Sequence, residues 1–179
     1  MPLIAVLLTA MMLIGVSSCK KQNDALIDPA EKNAEAVALN KSANTTAELA
    51  KSVRNAAARF HSTTQAIAAG YQPSHDCVSV PGMGGMGYHW VNPSLVDPVF
   101  DPLKPEAVLY APGPGGKLKL IAVEYLVINA GQPAPVFGTQ PFDVGGSPIP
   151  VPHWSLHAWL FEENPSGMFA PFNPNVSCQ

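Results

Sequence analysis

The sequence predicts an α+β domain in which a small antiparallel β-sheet packs against one long amphipathic helix, with long loops rich in proline and glycine. Three observations support this fold class. An apolar stripe with helical spacing runs between residues 45 and 70. Strand-like segments follow at 105–110, 117–128 and 151–161. Most of the 19 prolines and 14 glycines lie after residue 70, between and beyond these segments.

The N-terminal segment predicts export and a lipid anchor. The apolar run from Leu3 to Val16 is shorter than the roughly 20 residues that a membrane-spanning helix needs. It ends at Val16-Ser17-Ser18-Cys19, and an aliphatic residue with two small residues before a cysteine resembles the lipobox of bacterial lipoproteins. We therefore expect residues 1–18 to be a signal peptide and Cys19 to be acylated. This places the protein in the cell envelope, with the membrane as a partner and the domain in the periplasm or at the cell surface.

Residues 19–44 are predicted to tether the anchor to the folded domain. Within this segment, Asp28-Pro29-Ala30-Glu31 has the form of a capping box with proline at the first helical position. The tether therefore either contains a short helix to about Leu39 or is mostly disordered. A single folded domain is predicted over residues 45–179.

The long helix of this domain is predicted to begin near Thr45 and to end before Gly70. Thr45 and Glu48 form a second capping box, and glycine suits the position just after a helix C-terminus. Pro73 prevents the helix from continuing. The apolar stripe consists of Leu49, Val53, Ala56, Phe60, Thr63 and Ile67, which recur at steps of four and three.

The segment 117–128 has the clearest strand pattern, and together with 105–110 it predicts a hairpin. Its even-numbered residues, including Glu124, share one face, whereas the odd-numbered residues from 121 to 127 share the other. Because both faces are apolar at the centre, we expect a central strand that is covered on both sides. The third candidate, 151–161, is rich in aromatic residues.

The charge of the domain excludes one class of partner. Residues 71–179 contain three lysines and no arginine, against eight acidic residues. A mildly acidic domain has no basic surface for nucleic acid, so we expect no nucleic-acid partner.

Two cysteines, Cys77 and Cys178, remain once Cys19 is assigned to the anchor. An exported domain folds in an oxidising compartment, so these two cysteines are predicted to form a disulfide. The alternative, a pair of thiols that binds a metal, lacks CxxC spacing and is less favoured.

Several catalytic motifs are absent or incomplete, which limits the enzyme classes. Residues 82–87 satisfy GxGxxG, but a strand-like segment ending at Pro93 follows in place of a helix, so nucleotide binding is rejected. These glycines are better suited to positive φ and to close approach of the backbone. His153 and His157 lack the intervening glutamate of HExxH, and the chain has no GxSxG segment.

Glu124 is the most unusual residue of the domain, because it lies on a strand face with leucines. An ionised carboxylate there costs several kcal/mol unless it is paired, and the candidate partners are His157, His89, Tyr110 or a lysine. A cavity formed by Glu124, His89 and His157 would offer ligands for a transition metal (Zn, Fe or Cu) or an acid–base pair, with Trp90 and Trp159 as aromatic walls. A purely structural Glu–His pair is the alternative.

A second metal hypothesis concerns copper. Met83, Met86 and His89 recur at every third residue, and thioether ligands combined with imidazole suit Cu(I) in an exported compartment. The alternative is that the methionines of this glycine-rich segment only fill gaps in the core.

A set of short motifs is spread over about residues 50–179. The motifs are Met86-Gly87, His89, Asn92-Pro93, Pro105-Glu106, Tyr110, Glu124-Tyr125, Phe137-Gly138, Leu156-His157, Trp159, Asn164-Pro165, Gly167-Met168-Phe169-Ala170, Asn173-Pro174 and Cys178. Together they resemble a family of small secreted bacterial proteins of unknown function. The resemblance is most specific between Leu156 and Cys178, and it implies no activity because none is established for the family. His89, Glu124 and His157 lie at matching positions, whereas His153 stands where a large apolar or aromatic residue is expected, which disfavours it as a ligand.

Taken together, these features predict a lipid-anchored envelope protein whose domain is a non-catalytic binding module for a small ligand or partner. One alternative is a metal-dependent enzyme that uses His89, Glu124 and His157. Another is a periplasmic copper-binding protein that uses Met83, Met86 and His89.

Overall fold

The computed structural model describes residues 45–178 of the chain. The predicted signal peptide 1–18, the acylated Cys19 and the tether 19–44 lie outside these residues. Within the described part of the chain, no helix is both long enough and apolar enough to cross a lipid bilayer.

The prediction of one long helix is wrong, because the helical segment is broken at Ser62. An α-helix (α1, residues 45–57) continues as a 3-10 turn (Ala58–His61), and a second short helix (α2) spans Thr63–Ala68. Ser62 itself is extended, with φ −90° and ψ 110°, and its side chain accepts a hydrogen bond from Gln65 N. This is the N-cap geometry of a new helix, so the serine ends one helical segment and starts the next.

The break changes which residues of the apolar stripe are buried. Val53 and Phe60 are buried as predicted, and Ala57 replaces Ala56 on the inner face. After the break, Ala66 is fully buried whereas Ile67 is 53% exposed. Because α2 is a separate helix, its residues are rotated relative to those of α1. The spacing of buried residues before Ser62 therefore does not continue beyond it.

Most of the domain is a curled six-stranded antiparallel β-sheet, so the predicted α+β class is wrong as well. The strands of this sheet, in spatial order, are β1 (Cys77–Val80), β2 (Gly84–Val91), β3 (Ala107–Pro112), β4 (Leu118–Ile128), β8 (His153–Ala158) and β7 (Asp143–Val144). A separate two-stranded pair consists of β5 (Val136–Phe137) and β6 (Gln140–Pro141). β1 and β7 escape prediction because they are short. Of β2, only the part from Tyr88 onward was predicted as strand-like, because its start is rich in glycine, which strands disfavour.

The predicted hairpin and the third predicted strand are confirmed. β3 and β4 are antiparallel neighbours, and β8 pairs with the other side of β4. β4 is therefore a central strand. Its residues from Leu120 to Val127 are all buried, as the apolar pattern on both faces predicted.

A β-bulge at Ile121 divides β4 into two registers. β3 and β4 pair regularly on either side of the bulge, and Ile121 is the extra residue that has no partner position in β3. The prediction that the even-numbered residues of β4 all share one face is therefore wrong for the residues before Ala122. Glu124 does share a face with Ala122 and Leu126. On the helix face, which packs against α1 and the 3-10 turn, β4 contributes Leu120, Val123, Tyr125 and Val127; on the opposite face it contributes Ile121, Ala122 and Leu126.

The C-terminal segment, which includes Asn173 and Cys178, contacts the sheet at β1 and β2. The predicted disulfide between Cys77 and Cys178 is present and joins β1 to this segment. Gly85 and Asn173 exchange two backbone hydrogen bonds. Gly84 lies so close to this segment that a Cβ on it would stand 1.9 Å from Asn173 O, so the glycines do provide the predicted close backbone approach.

Candidate metal centre

Three strands bring His89, Glu124 and His157 together on the face of the sheet opposite the helices. Glu124 on β4 is in register with His157 on β8, and directly opposed residues of an antiparallel pair project to the same face. On its other side, Glu124 is in register with Ala107 on β3. His89 on β2 pairs with Leu109, so its ring reaches diagonally across β3. The small side chain of Ala107 leaves the space for this reach.

The side chains of the cluster lie within contact distance of one another. His89 Nε2 is 3.2 Å from His157 Nε2 and 3.3 Å from Glu124 Oε2. His157 Nδ1 is 3.4 Å from Glu124 Oε1. One ligand atom of each residue can be chosen so that all three lie within 4.8 Å, and the exposed fractions are 8% for His89, 1% for Glu124 and 4% for His157. The structure thus brings together the three residues that the sequence singled out.

Burial controls the protonation of this cluster. Desolvation lowers the pKa of His89 to about 4, although a hydrogen bond with the Gly87 backbone acts in the opposite direction. Desolvation, and after it the neighbouring His89, lowers the pKa of His157 to about 3. Burial, and after it the charge of Glu106, raises the pKa of Glu124 well above its usual value. Both imidazoles are therefore neutral at pH 7, which is the form that binds metal ions.

Glu124 Oε2 has no hydrogen-bond partner among the described residues. It is buried and accepts no hydrogen bond from any described residue, although His89 Nε2 lies 3.3 Å away. Because the His89 imidazole is neutral, this close contact is not an ion pair, and its direction does not make a hydrogen bond. A buried carboxylate oxygen without a donor is unfavourable, and a cation would stabilise it.

The spacing of the ligand atoms fits a tetrahedral metal ion. Bonds of about 2.0–2.1 Å from zinc to nitrogen or oxygen place neighbouring ligands of a tetrahedron about 3.3–3.4 Å apart. The two distances from His89 Nε2, 3.2 and 3.3 Å, lie close to this value. Two histidines with one glutamate also form the protein ligands of known zinc sites that keep a fourth position open.

Trp159 supports the position of His157. Its ring stacks on the imidazole, with centroids 6.1 Å apart and an interplanar angle of 20°. Its Nε1 donates a hydrogen bond to Ala170 O at 2.6 Å, which ties the ring to the C-terminal loop. Trp159 therefore lies beside the cluster, and its predicted role in ligand binding stays a prediction.

Trp90 lies on the helix face, away from the cluster. Adjacent residues of a strand project to opposite faces, so Trp90 and His89 diverge. The Trp90 ring packs on Tyr110, with centroids 4.6 Å apart, and its Nε1 donates to Ser74 O. The structure therefore corrects the sequence-based assignment: Trp90 is a core residue and does not line the cluster.

Two open clefts reach the cluster. Cleft A, of about 330 Å³, is lined in part by Glu124 and His157. Cleft B, of about 260 Å³, is lined in part by His89. Val78 and Ser147 line both clefts and so form the partition between them.

The other predicted ligands occupy separate places. His153 is buried, with Nδ1 2.7 Å from Val151 O, and its Nε2 has no hydrogen-bond partner in the described part of the chain. Met83 is half-exposed in the turn before β2, whereas Met86 lines cleft A. The copper site therefore stays a prediction.

Glu106 is a second buried carboxylate, which the strand pattern did not single out. It precedes β3 and accepts a hydrogen bond from Leu126 N at 3.0 Å. Burial is the main cause that raises the pKa of Glu106 to about 7, against the lowering effect of the Leu126 N–H and with a smaller contribution from nearby aspartates. The sequence feature that could have identified Glu106 is its position as an acidic residue inside an otherwise apolar strand-like segment.

The family of small secreted bacterial proteins stays a prediction based on short motifs. A comparison of the chain with protein-family models, curated proteins and solved structures found no match.

Proposed function

We propose that this protein is a lipid-anchored cell-envelope protein whose domain binds a divalent transition metal ion through His89, Glu124 and His157. The observation that carries the proposal is the convergence of two imidazole nitrogens and a carboxylate oxygen in a buried site. The two distances from His89 Nε2 match those between neighbouring ligands of one ion, and the unsatisfied Glu124 Oε2 is an atom that such an ion would stabilise.

Zinc is the ion that this ligand set fits best. Imidazole suits zinc, copper, iron and nickel, whereas magnesium and calcium prefer oxygen ligands. Two histidines and one glutamate are the protein ligands of known zinc sites, which favours zinc among these ions. Iron(II), which also binds two histidines and one carboxylate, is the second candidate.

The role we propose for the metal-loaded domain is binding a small ligand or partner. The sequence has no HExxH or GxSxG motif, and its GxGxxG segment is not followed by a helix. These motifs therefore give no support for a recognised enzyme class. A metal-dependent enzyme that uses the same three residues is the second candidate function. It is favoured by the coordination position that three protein ligands leave open.

The envelope location is proposed from the apolar run that ends at Cys19, and the Cys77–Cys178 disulfide supports it because disulfides persist in oxidising compartments. We expect labelled palmitate to be incorporated into the wild-type protein in a bacterial host but not into Cys19→Ala. Absence of label from the wild type, in cells that label a known lipoprotein, would contradict the anchor.

Elemental analysis of the detergent-solubilised full-length protein, purified without chelator, tests the metal site. We expect about one equivalent of zinc per chain. His89→Ala and Glu124→Gln each remove a ligand, so their metal content should fall at least tenfold. His61→Ala is the matched control, because His61 is an exposed histidine that packs on Phe161.

The variants must first be shown to be folded by circular dichroism. A folded wild-type protein that takes up no zinc or iron on incubation would contradict the proposal. Full retention of the metal by His89→Ala would do the same.

A further inference from the structure

Cleft A is one of the two clefts that border the proposed metal site, and it is the one that two of the three ligands line. Glu124 and His157 belong both to the proposed metal site and to the lining of this cleft. Its volume of about 330 Å³ is sufficient for a small molecule, since small-molecule sites measure roughly 300–1,000 Å³. A ligand that coordinates the ion from this cleft depends on the proposed metal site.

The lining of cleft A combines apolar and polar residues. Val78 and Phe169 contribute apolar surface. Asp143 and Ser155 contribute polar groups, and they are directly opposed residues of β7 and β8. Ser155 is two residues from His157 on β8, so both polar side chains share the face of the sheet that carries the cluster.

The charge of the metal-loaded site would favour an anion. A divalent ion held by one glutamate and two neutral imidazoles has a net charge of about +1 in a buried site, and an anionic fourth ligand neutralises it. The one acidic residue of the cleft besides Glu124 is Asp143, which is exposed on the edge strand β7, where solvent screens its charge.

We propose that cleft A binds a small, partly apolar ligand that coordinates the metal ion through an anionic oxygen. The class that fits is a small organic acid with an aromatic or branched aliphatic body. Its acid group lies at Glu124 and His157, and its body replaces water beside Val78 and Phe169.

Full-length protein loaded with cobalt(II) tests this inference, because the visible spectrum of cobalt reports its ligands. Acetohydroxamate and benzohydroxamate are suitable probes, since both offer an anionic oxygen and differ in the apolar body. We expect both to change the cobalt spectrum. Benzohydroxamate should bind at least about ten times more tightly, because its ring buries additional apolar surface in the cleft.

Val144→Asp tests whether the ligand occupies cleft A, because Val144 lines this cleft and not cleft B. Val144 is exposed on the edge strand β7, so an aspartate there leaves the core unchanged while it adds a negative charge to the cleft wall. We expect benzohydroxamate affinity to fall about tenfold. Val99→Asp is the matched control, because Val99 is also an exposed valine and is outside the cleft lining, and its affinity should be that of the wild type.

The outcomes separate this inference from the metal site. A bound cobalt ion whose spectrum neither hydroxamate changes would overturn the ligand inference and leave the metal site standing. The same holds if both hydroxamates bind equally and Val144→Asp has no effect. Failure to bind cobalt at all would overturn the metal site and the ligand inference together.

Discussion

At the scale of the residue, two buried glutamates dominate the electrostatics of the sheet. Glu106 and Glu124 are each 1% exposed, and burial raises the pKa of both. Their partners differ. Glu106 accepts a hydrogen bond from Leu126 N, whereas Glu124 lies between two imidazoles and has an unsatisfied oxygen. Glu106 therefore has a structural role, and Glu124 has the surroundings of a metal ligand.

The pKa of Glu106 predicts a pH-dependent effect of Glu106→Gln. Folding raises the pKa of this carboxyl from 4.5 to about 7, so between these pH values the folded protein holds a proton that the unfolded chain has released. The free energy of unfolding that Glu106 contributes therefore falls as the pH rises through this window. Glutamine has no proton to lose, so the variant should gain up to about 3 kcal/mol relative to the wild type between pH 5 and pH 8.

Urea unfolding of metal-free protein at pH 5 and pH 8 measures this difference. Glu163→Gln is the control, because Glu163 is exposed. If the stability difference between Glu106→Gln and the wild type is the same at both pH values, the proposed protonation of the buried carboxyl is wrong.

At the scale of the element, the irregularities of β2 and β4 fit together and position His89. The register between β1 and β2 shifts between Cys77 and Ser79, and Gly87 has a φ of +93° in this irregular part of β2. A Cβ on Gly87 would stand 2.7 Å from Cδ1 of Ile121, the bulge residue of β4. Gly87 therefore allows β2 to approach the bulge, two residues before His89.

Gly87→Ala should destabilise the domain and weaken metal binding. A side chain at positive φ costs about 1 kcal/mol or more, and the clash with Ile121 adds a further 1–3 kcal/mol or so. Gly115→Ala is the matched control, because Gly115 also has a positive φ but has no atom within 4 Å of the added Cβ. We expect chemical denaturation to show a loss about 1–3 kcal/mol larger for Gly87→Ala, together with lower zinc affinity. Equal losses for the two variants would show that the close approach has no energetic effect.

At the scale of the whole molecule, the disulfide holds the two ends of the sheet-forming region together. Cys77 begins β1 and Cys178 lies in the segment that hydrogen-bonds with β2, with a sequence separation of 101 between them. A covalent link over so long a segment lowers the conformational entropy of the unfolded chain.

Replacing both cysteines, as in Cys77→Ser with Cys178→Ser, should lower the free energy of unfolding by up to about 4–5 kcal/mol. Urea unfolding of the double variant, compared with oxidised and with reduced wild-type protein, measures the effect. The double variant and the reduced wild type should have similar stability. A double variant as stable as the oxidised wild type would contradict the role of the disulfide.

The amino-acid sequence by itself determined the features that depend on local pattern and residue chemistry. Strand-like apolar segments identified β3, β4 and β8, and the number of cysteines together with the predicted export signal identified the disulfide. An acidic residue among leucines requires a partner wherever it is buried, and this requirement pointed from Glu124 to His89 and His157. These conclusions needed no knowledge of the strand order.

Only the tertiary structure decided the fold class, the break at Ser62, the bulge at Ile121 and the face on which Trp90 lies. Strand order and register arise from contacts between residues far apart in the chain, which no local period encodes. One extra residue in a strand exchanges the faces of all residues beyond it, so alternation read without the bulge assigns part of the strand to the wrong side. Convergence of the three ligands depends on that register, and for this reason their distances could be known only from the fold.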